Sequence, residues 1–64
     1  MKPTPSQSHI IKKYFPNCKD VNIIMEFGNE VDATRFSGSF IADYKEGRKK
    51  KRSLFEDGRF VKTF

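Results

Sequence analysis

The stretch FIADYKEGRKKKRSLFEDGRF, residues 40–60, decides the fold because it holds two turn signals between segments of extended pattern. Gly47 suits a short hairpin connection, and Asp57-Gly58 between apolar segments is a strong hairpin signal. Short strands joined by such turns form an antiparallel meander. The strands predicted around the two turns are residues 30–44, 49–55 and 60–64.

The segment VNIIMEF, residues 21–27, lies upstream and has the period-2 alternation of a half-buried strand. Gly28-Asn29 follows it as an acceptable two-residue hairpin turn. The segment therefore adds a first strand to the meander. Its side chains predicted to share one face are Val21, Ile23, Met25 and Phe27.

The second predicted strand, residues 30–44, is interrupted by Ser37-Gly38-Ser39. Glycine inside a strand often marks a bulge, so we expect a bend or bulge near Gly38. A short helical turn is the alternative structure for residues 30–36. The side chains that share one phase of this strand are Phe36, Phe40, Ala42 and Tyr44.

A helix is predicted over residues 5–15, after a flexible N-terminus at residues 1–4. Thr4 suits the N-cap, Pro5 suits the first helical position, and Gln7 completes a capping box. The apolar stripe consists of Ile10, Ile11, Tyr14 and Phe15. A stripe this short is not stable alone, so the helix must pack on the sheet.

These elements predict one small α+β domain over residues 1–64, with the short N-terminal helix packed on a three- or four-stranded antiparallel meander at residues 21–64. The bend at Gly38 would allow the sheet to curl into a small SH3-like barrel. The predicted core consists of Ile10, Ile11, Tyr14, Phe15, Ile23, Met25 and Phe27.

The excess charge of the chain is concentrated in one run, KEGRKKKR, at residues 45–52. This run has six basic residues and one acidic residue, whereas the remaining 56 residues carry seven of each sign. Concentrated positive charge attracts polyanions, so the run predicts a phosphate backbone or an acidic protein surface as the partner. The predicted contact residues are Lys45, Arg48, Lys49, Lys50, Lys51 and Arg52.

The run is predicted to occupy a hairpin tip and the start of the following strand. We expect Lys49 and Lys51 on one face and Lys50 and Arg52 on the other, in a hairpin that projects beyond the packed sheet because cations resist burial. A projecting basic hairpin can follow phosphates. The alternatives are protection of an edge strand, a nuclear-localisation patch and contact with anionic lipid headgroups.

Tyr44 and Phe55 lie beside the run and are candidates for stacking on unpaired bases. The competing interpretation places both rings in the core, because nine Phe and Tyr residues must supply most of the buried area. The common RNA-binding aromatic motifs, a zinc-finger spacing and a helix-turn-helix pair are absent. Contacts to the backbone should therefore dominate over base reading.

Catalysis is not expected from this sequence. His9, Cys18 and Asp20 include the residue types of a thiol triad, but no motif supports their assembly. A single cysteine cannot form an intramolecular disulfide, and with a single histidine it cannot complete a structural zinc site. We expect no metal site, no cofactor and no small-molecule substrate.

Two functions follow from these observations. The first is a non-catalytic small basic binding module that contacts nucleic-acid backbone through the basic hairpin. The second is a small protein-binding inhibitor or adaptor, such as a phage or viral accessory protein, that docks on an acidic partner surface. A homodimer is compatible with both functions.

The expected location is the cytoplasm, with the nucleus as the alternative for a eukaryotic or viral chain. A lone thiol is typical of reducing compartments. No apolar run approaches the roughly 20 residues needed to span a bilayer.

Overall fold

The helix begins and ends close to its predicted limits. In the computed structural model, which describes residues 1–64, α1 is Pro5–Tyr14. The backbone N–H of Gln7 donates to Thr4 Oγ1 over 3.4 Å, and the N–H of Thr4 donates to Gln7 Oε1 over 2.9 Å, which confirms the capping box. No helix of the structure has the length and apolar character that crossing a bilayer requires.

Four antiparallel strands follow the helix and pair in sequence order, so the predicted α+β meander is confirmed. The strands are β1 Cys18–Glu30, β2 Phe36–Glu46, β3 Lys49–Glu56 and β4 Arg59–Thr63. Because β1 and β4 remain at opposite edges, the sheet is open and does not close into an SH3-like barrel.

Both turns in the deciding stretch form where they were predicted. Gly47 lies in the two-residue connection between β2 and β3 with a φ of 63°. Asp57 and Gly58 connect β3 to β4 with φ values of 51° and 77°. Positive φ at both central residues is the conformation that favours Asp-Gly in tight hairpins.

The predicted turn at Gly28-Asn29 is wrong, because β1 continues through both residues to Glu30. Gly28 instead lies directly opposite Gly38 on β2. A Cβ on Gly28 would lie 1.9 Å from the carbonyl oxygen of Ser37, so the backbones approach too closely for any side chain. The bulge expected near Gly38 is also absent, since the pairing register there is continuous.

Residues 31–35 form the first connection, and they adopt neither the predicted strand nor the alternative helical turn. The Asp32 carboxylate accepts hydrogen bonds from the backbone N–H and the hydroxyl of Thr34, and from Arg35 Nε at 3.0 Å. A side chain that accepts from the backbone two residues later is a common way of making a turn. These bonds lower the pKa of Asp32 to about 2.

The predicted phase of β1 is correct at Ile23 and wrong beyond it. The pairing register shifts between Ile23 and Met25, so the two sides of the strand exchange faces. Ile23 is buried, whereas Met25 is 46% exposed and Phe27 is 58% exposed. Glu26 turns toward the helix instead, and its carboxylate accepts from Gln7 Nε2 over 2.6 Å.

The core lies between α1 and the sheet face that it covers. Phe40 and Phe55 stack there with ring centroids 5.1 Å apart, and half-buried Phe15 stacks on Tyr44. Tyr14, which was predicted to be buried, packs against Phe55 but stays exposed. The buried apolar residues are Ile10, Ile11, Cys18, Ile23, Phe36, Phe40, Ala42, Tyr44 and Phe55.

The N-terminal residues lie beside the edge of β1, although the sequence predicts a flexible segment there. The carbonyl oxygen of Met1 accepts from the N–H of Ile23 over 2.6 Å, and the Met1 nitrogen donates to the Ile23 carbonyl over 2.9 Å. The backbone of Met1 therefore covers part of the edge of β1 that does not pair with β2.

Candidate functional site

The basic run lies within the sheet, so the prediction that it projects beyond the sheet is wrong. β3 begins at Lys49 and pairs with β2 from that residue onward. β1 also flanks this end, because Cys18 lies opposite Glu46. The cations lie at the end of the sheet, and most of their side chains are exposed there.

Part of the charge of the run is neutralised within the chain. Arg52 donates from Nε and Nη2 to the two oxygens of Asp43, at 2.6 and 3.0 Å. These hydrogen bonds lower the pKa of Asp43 and raise that of Arg52. Because this geometry occupies the fork of the guanidinium, Arg52 is not free for the bidentate phosphate contact that Arg typically makes.

Two lysines of the run also have carboxylate partners. Lys51 Nζ donates to Glu46 over 2.6 Å, and this contact raises the pKa of Lys51. Lys45 Nζ lies 3.6 Å from the Asp20 carboxylate, at a bulge position where Asp20 has a φ of 54°. The cations of the run without a carboxylate within 4 Å are Arg48, Lys49 and Lys50.

The sheet adds a cation that the sequence did not associate with the run. Lys19 on β1 lies directly opposite Lys45 on β2, which lies directly opposite Lys50 on β3. These three residues form a row, here called the lysine row, on the outer face, which is the sheet face away from α1. Lys19 was missed because only the strand register brings it to the run.

The lysine row is electrostatically unfavourable for the isolated protein. Neighbouring strands lie about 4.8 Å apart, and like charges directly opposite each other destabilise a sheet. Asp20 offsets part of this repulsion at Lys45, while Lys19 and Lys50 have no carboxylate within 4 Å. A bound anion would relieve the remaining repulsion.

The end of the sheet that holds the lysine row is called the basic end. It contains seven cations and three carboxylates, which give a net charge of +4. Its cations are Lys19, Lys45, Arg48, Lys49, Lys50, Lys51 and Arg52, and its carboxylates are Asp20, Asp43 and Glu46.

An open depression of about 730 Å³ lies at the basic end, beside Lys45 and Lys50 of the lysine row. Lys50 and Arg52 line it together with the ring of Phe64, which is 61% exposed. The N–H of Phe64 donates to the Arg52 carbonyl over 2.7 Å, which holds the ring beside the cations. Lys62 Nζ lies 4.8 Å from the centroid of this ring.

The two rings predicted to stack on bases are not accessible. Tyr44 and Phe55 are buried on the inner face of the sheet, beneath Phe15. The Tyr44 hydroxyl forms a 2.7 Å hydrogen bond with Ser53 inside the core. Alternation within β2 and β3 sends these rings inward, so the stacking assignment does not fit the structure.

The residue types of a thiol triad have separate environments. His9 is exposed on α1, and Asp20 is paired with Lys45. Cys18 is buried at the start of β1, and burial raises the pKa of its thiol. A raised pKa reduces the thiolate fraction, which makes Cys18 less reactive than an exposed thiol.

Comparison of the chain with protein-family models, with curated proteins and with solved structures finds no match. The candidate function is therefore based on the charge and geometry of the basic end and the outer face.

Proposed function

We propose that this protein is a non-catalytic binding module whose basic end contacts the phosphate backbone of nucleic acid. The observation that carries the proposal is the lysine row, in which strand pairing holds three cations side by side. A phosphate backbone presents a regular line of negative charge, and neutralising it releases condensed counterions. The row supplies a matching line of positive charge.

The unpaired cations around the row extend this contact. Arg48 in the β2–β3 turn and Lys49 at the start of β3 are exposed and have no carboxylate within 4 Å. Arg48 can donate two hydrogen bonds to one phosphate, while lysines act as mobile point charges. Contacts of this kind position a nucleic acid without selecting its sequence.

An acidic protein surface is the second candidate partner, and one observation favours it. Met25 and Phe27 are exposed on the same face as the lysine row. Exposed apolar area beside a charged patch is typical of protein interfaces, where charge guides association and apolar groups supply affinity. An inhibitor or adaptor could use both surfaces together.

We assign this activity to a reducing compartment such as the cytoplasm. The support is the single cysteine, Cys18, which is buried and has no second cysteine to pair with.

A charge-matched pair of variants tests the nucleic-acid proposal. Lys19→Ala/Lys50→Ala removes two cations from the lysine row, whereas Lys13→Ala/Arg35→Ala removes two that line a different depression, beside the β3–β4 turn. Both variants lower the net charge equally. The proposal predicts that only the first weakens binding to a labelled oligonucleotide, as measured by fluorescence anisotropy.

Equal weakening by the two variants would show that net charge alone drives binding. Binding to an acidic protein but to no oligonucleotide at low salt would favour the second candidate. Far-UV circular dichroism of each variant checks that the fold is retained.

A further inference from the structure

The outer face also carries an apolar band, which the Asp43–Arg52 pair separates from the lysine row. Met25, Ile41 and Leu54 lie directly opposite one another across β1, β2 and β3. Phe27 adjoins this row on β1. Phe64, beyond the end of β4, lies beside Arg52 and is therefore one step closer to the lysine row. These five residues are called the apolar band, and both of its rings are about 60% exposed.

The fold does not explain the band. α1 covers the opposite face, where the aromatic core lies, and no element of the chain packs over the outer face. Ile41 and Leu54 are half-buried, while Met25 and the two rings are exposed. Single exposed apolar residues are common, but several on one face usually mark a binding surface. A partner that covers both rings must also fit the lysine row at the other end of the outer face.

We propose that the outer face binds unpaired nucleic acid, with phosphates at the lysine row and bases stacked on Phe27 and Phe64. This inference rests on the proposed function and specifies its ligand. The flat faces of bases are hidden inside a duplex but are available in a single strand. A positively charged surface with exposed rings is the usual platform for such strands.

The dimensions of the sheet set the length of the ligand. Lys45 and Ile41 are four residues apart on β2, which corresponds to about 13 Å along the strand. Ser39 lies opposite Phe27 and is six residues from Lys45, or about 20 Å. A segment of several nucleotides is therefore needed to contact the lysine row and Phe27 together.

Phe64 is the ring closest to the cations. It shares the depression of the outer face with Lys45, Lys50 and Arg52, and Lys62 lies over its ring. Lys45 and Arg52 are paired with carboxylates, so a base stacked on Phe64 would place its phosphate at Lys50. Phe27 would hold a second base at the other end of the apolar band.

The test compares three ligands of equal length and one set of variants. The ligands are a labelled 12-nucleotide oligothymidylate, a duplex, and an abasic strand that keeps the phosphates but lacks bases. The variants are Phe27→Ala, Phe64→Ala and Phe27→Tyr. The control is Val31→Ala, because Val31 is 58% exposed but lies in the β1–β2 connection, away from the outer face.

We expect the oligothymidylate to bind more tightly than the duplex or the abasic strand at the same salt concentration. Stacking on one ring contributes about 1–3 kcal/mol, so each Phe→Ala variant should weaken oligothymidylate binding by about 5- to 150-fold. Binding of the abasic strand should not change. Phe27→Tyr keeps an aromatic ring and should recover most of the binding that Phe27→Ala loses. Val31→Ala should bind as the unmodified protein does, because Val31 lies away from the outer face.

Two results would overturn the inference while leaving the proposed function intact. One is duplex binding as tight as single-strand binding, and the other is an equal loss of abasic-strand affinity in Phe27→Ala. Absence of binding to all three ligands at low salt would overturn the proposed function itself. Amide NMR spectra of the variants verify that each remains folded.

Discussion

Gly28 and Gly38 face each other across β1 and β2, and each occupies a backbone conformation that side chains rarely adopt. Their φ values are 149° and 109°. A Cβ on Gly38 would lie 2.0 Å from the carbonyl oxygen of Phe27, just as one on Gly28 would meet that of Ser37. The strands can keep this register only if both positions lack a side chain.

We expect Gly28→Ala to lower the free energy of unfolding by about 3 kcal/mol or more, because it combines backbone strain with a clash against main-chain atoms. Gly47→Ala is the matched control. Gly47 also has a positive φ, but a Cβ there meets nothing within 4 Å. The control should therefore cost only the strain of about 1–2 kcal/mol.

Urea denaturation of both variants measures the difference. Equal losses for Gly28→Ala and Gly47→Ala would show that strain, rather than close approach of the strands, sets the requirement for glycine.

Asp32 gives the first connection a dependence on pH. Hydrogen bonds from Thr34 and Arg35 lower its pKa to about 2 from an ordinary value of 3.8. Between these values the unfolded chain binds more protons than the folded chain does. The stability that Asp32 contributes is thus present above about pH 4 and is lost as the pH falls through about 2.

Asp32→Asn keeps a side-chain oxygen for the Thr34 N–H but removes the titration. We expect its stability to fall less steeply between pH 4 and pH 2 than that of the unmodified protein. Thermal melts at several pH values measure the two slopes, and identical slopes would contradict the assigned pKa.

The helix and the first strand differ in how far their sequences determine them. Thr4 and Gln7 form the capping box within four consecutive residues, so the start of α1 was predictable from local chemistry alone. The inward face of β1 depends on register shifts against β2, which no local pattern records. This is why Ile23 was placed correctly and Phe27 was not.

Because Phe27 lies on the exposed side of β1, its substitution should change the stability of the protein only slightly. We expect Phe27→Ala to lower the free energy of unfolding by less than about 1 kcal/mol, because the ring is mostly exposed. Phe40→Ala removes a ring that is buried and stacked on Phe55, and should cost about 3–5 kcal/mol.

Chemical denaturation of the two variants compares them directly. A loss at Phe27 as large as the loss at Phe40 would show that the outer face is covered in solution.

In the basic run, too, some features follow from the local sequence and others depend on strand pairing. Its composition was visible in the sequence, and so was the alternation of its side chains. The partners of Lys51 and Arg52 and the approach of Lys19 were not visible, because they depend on which strands pair and in which register. Pairing across the sheet therefore changes both the members and the effective charge of the site.

The whole molecule uses its two sheet faces differently. A chain of about 60 residues buries only about 60% of the surface that it exposes when unfolded. In this protein the buried rings all lie on the sheet face that α1 covers. The outer face keeps exposed rings and the lysine row. The inner face therefore holds the core, and the outer face is the surface proposed to bind nucleic acid.

The salt dependence of oligonucleotide binding is the sharpest test of the proposed phosphate contact. Four cations, Lys19, Arg48, Lys49 and Lys50, have no carboxylate partner and should each displace a counterion. The logarithm of the binding constant should then fall against the logarithm of salt concentration with a slope of about −2.8 on a single strand and about −3.6 on a duplex. Lys19→Ala/Lys50→Ala should reduce the single-strand slope by about 1.4. Absence of binding at low salt, or an unchanged slope in this variant, would show that the lysine row does not contact phosphates.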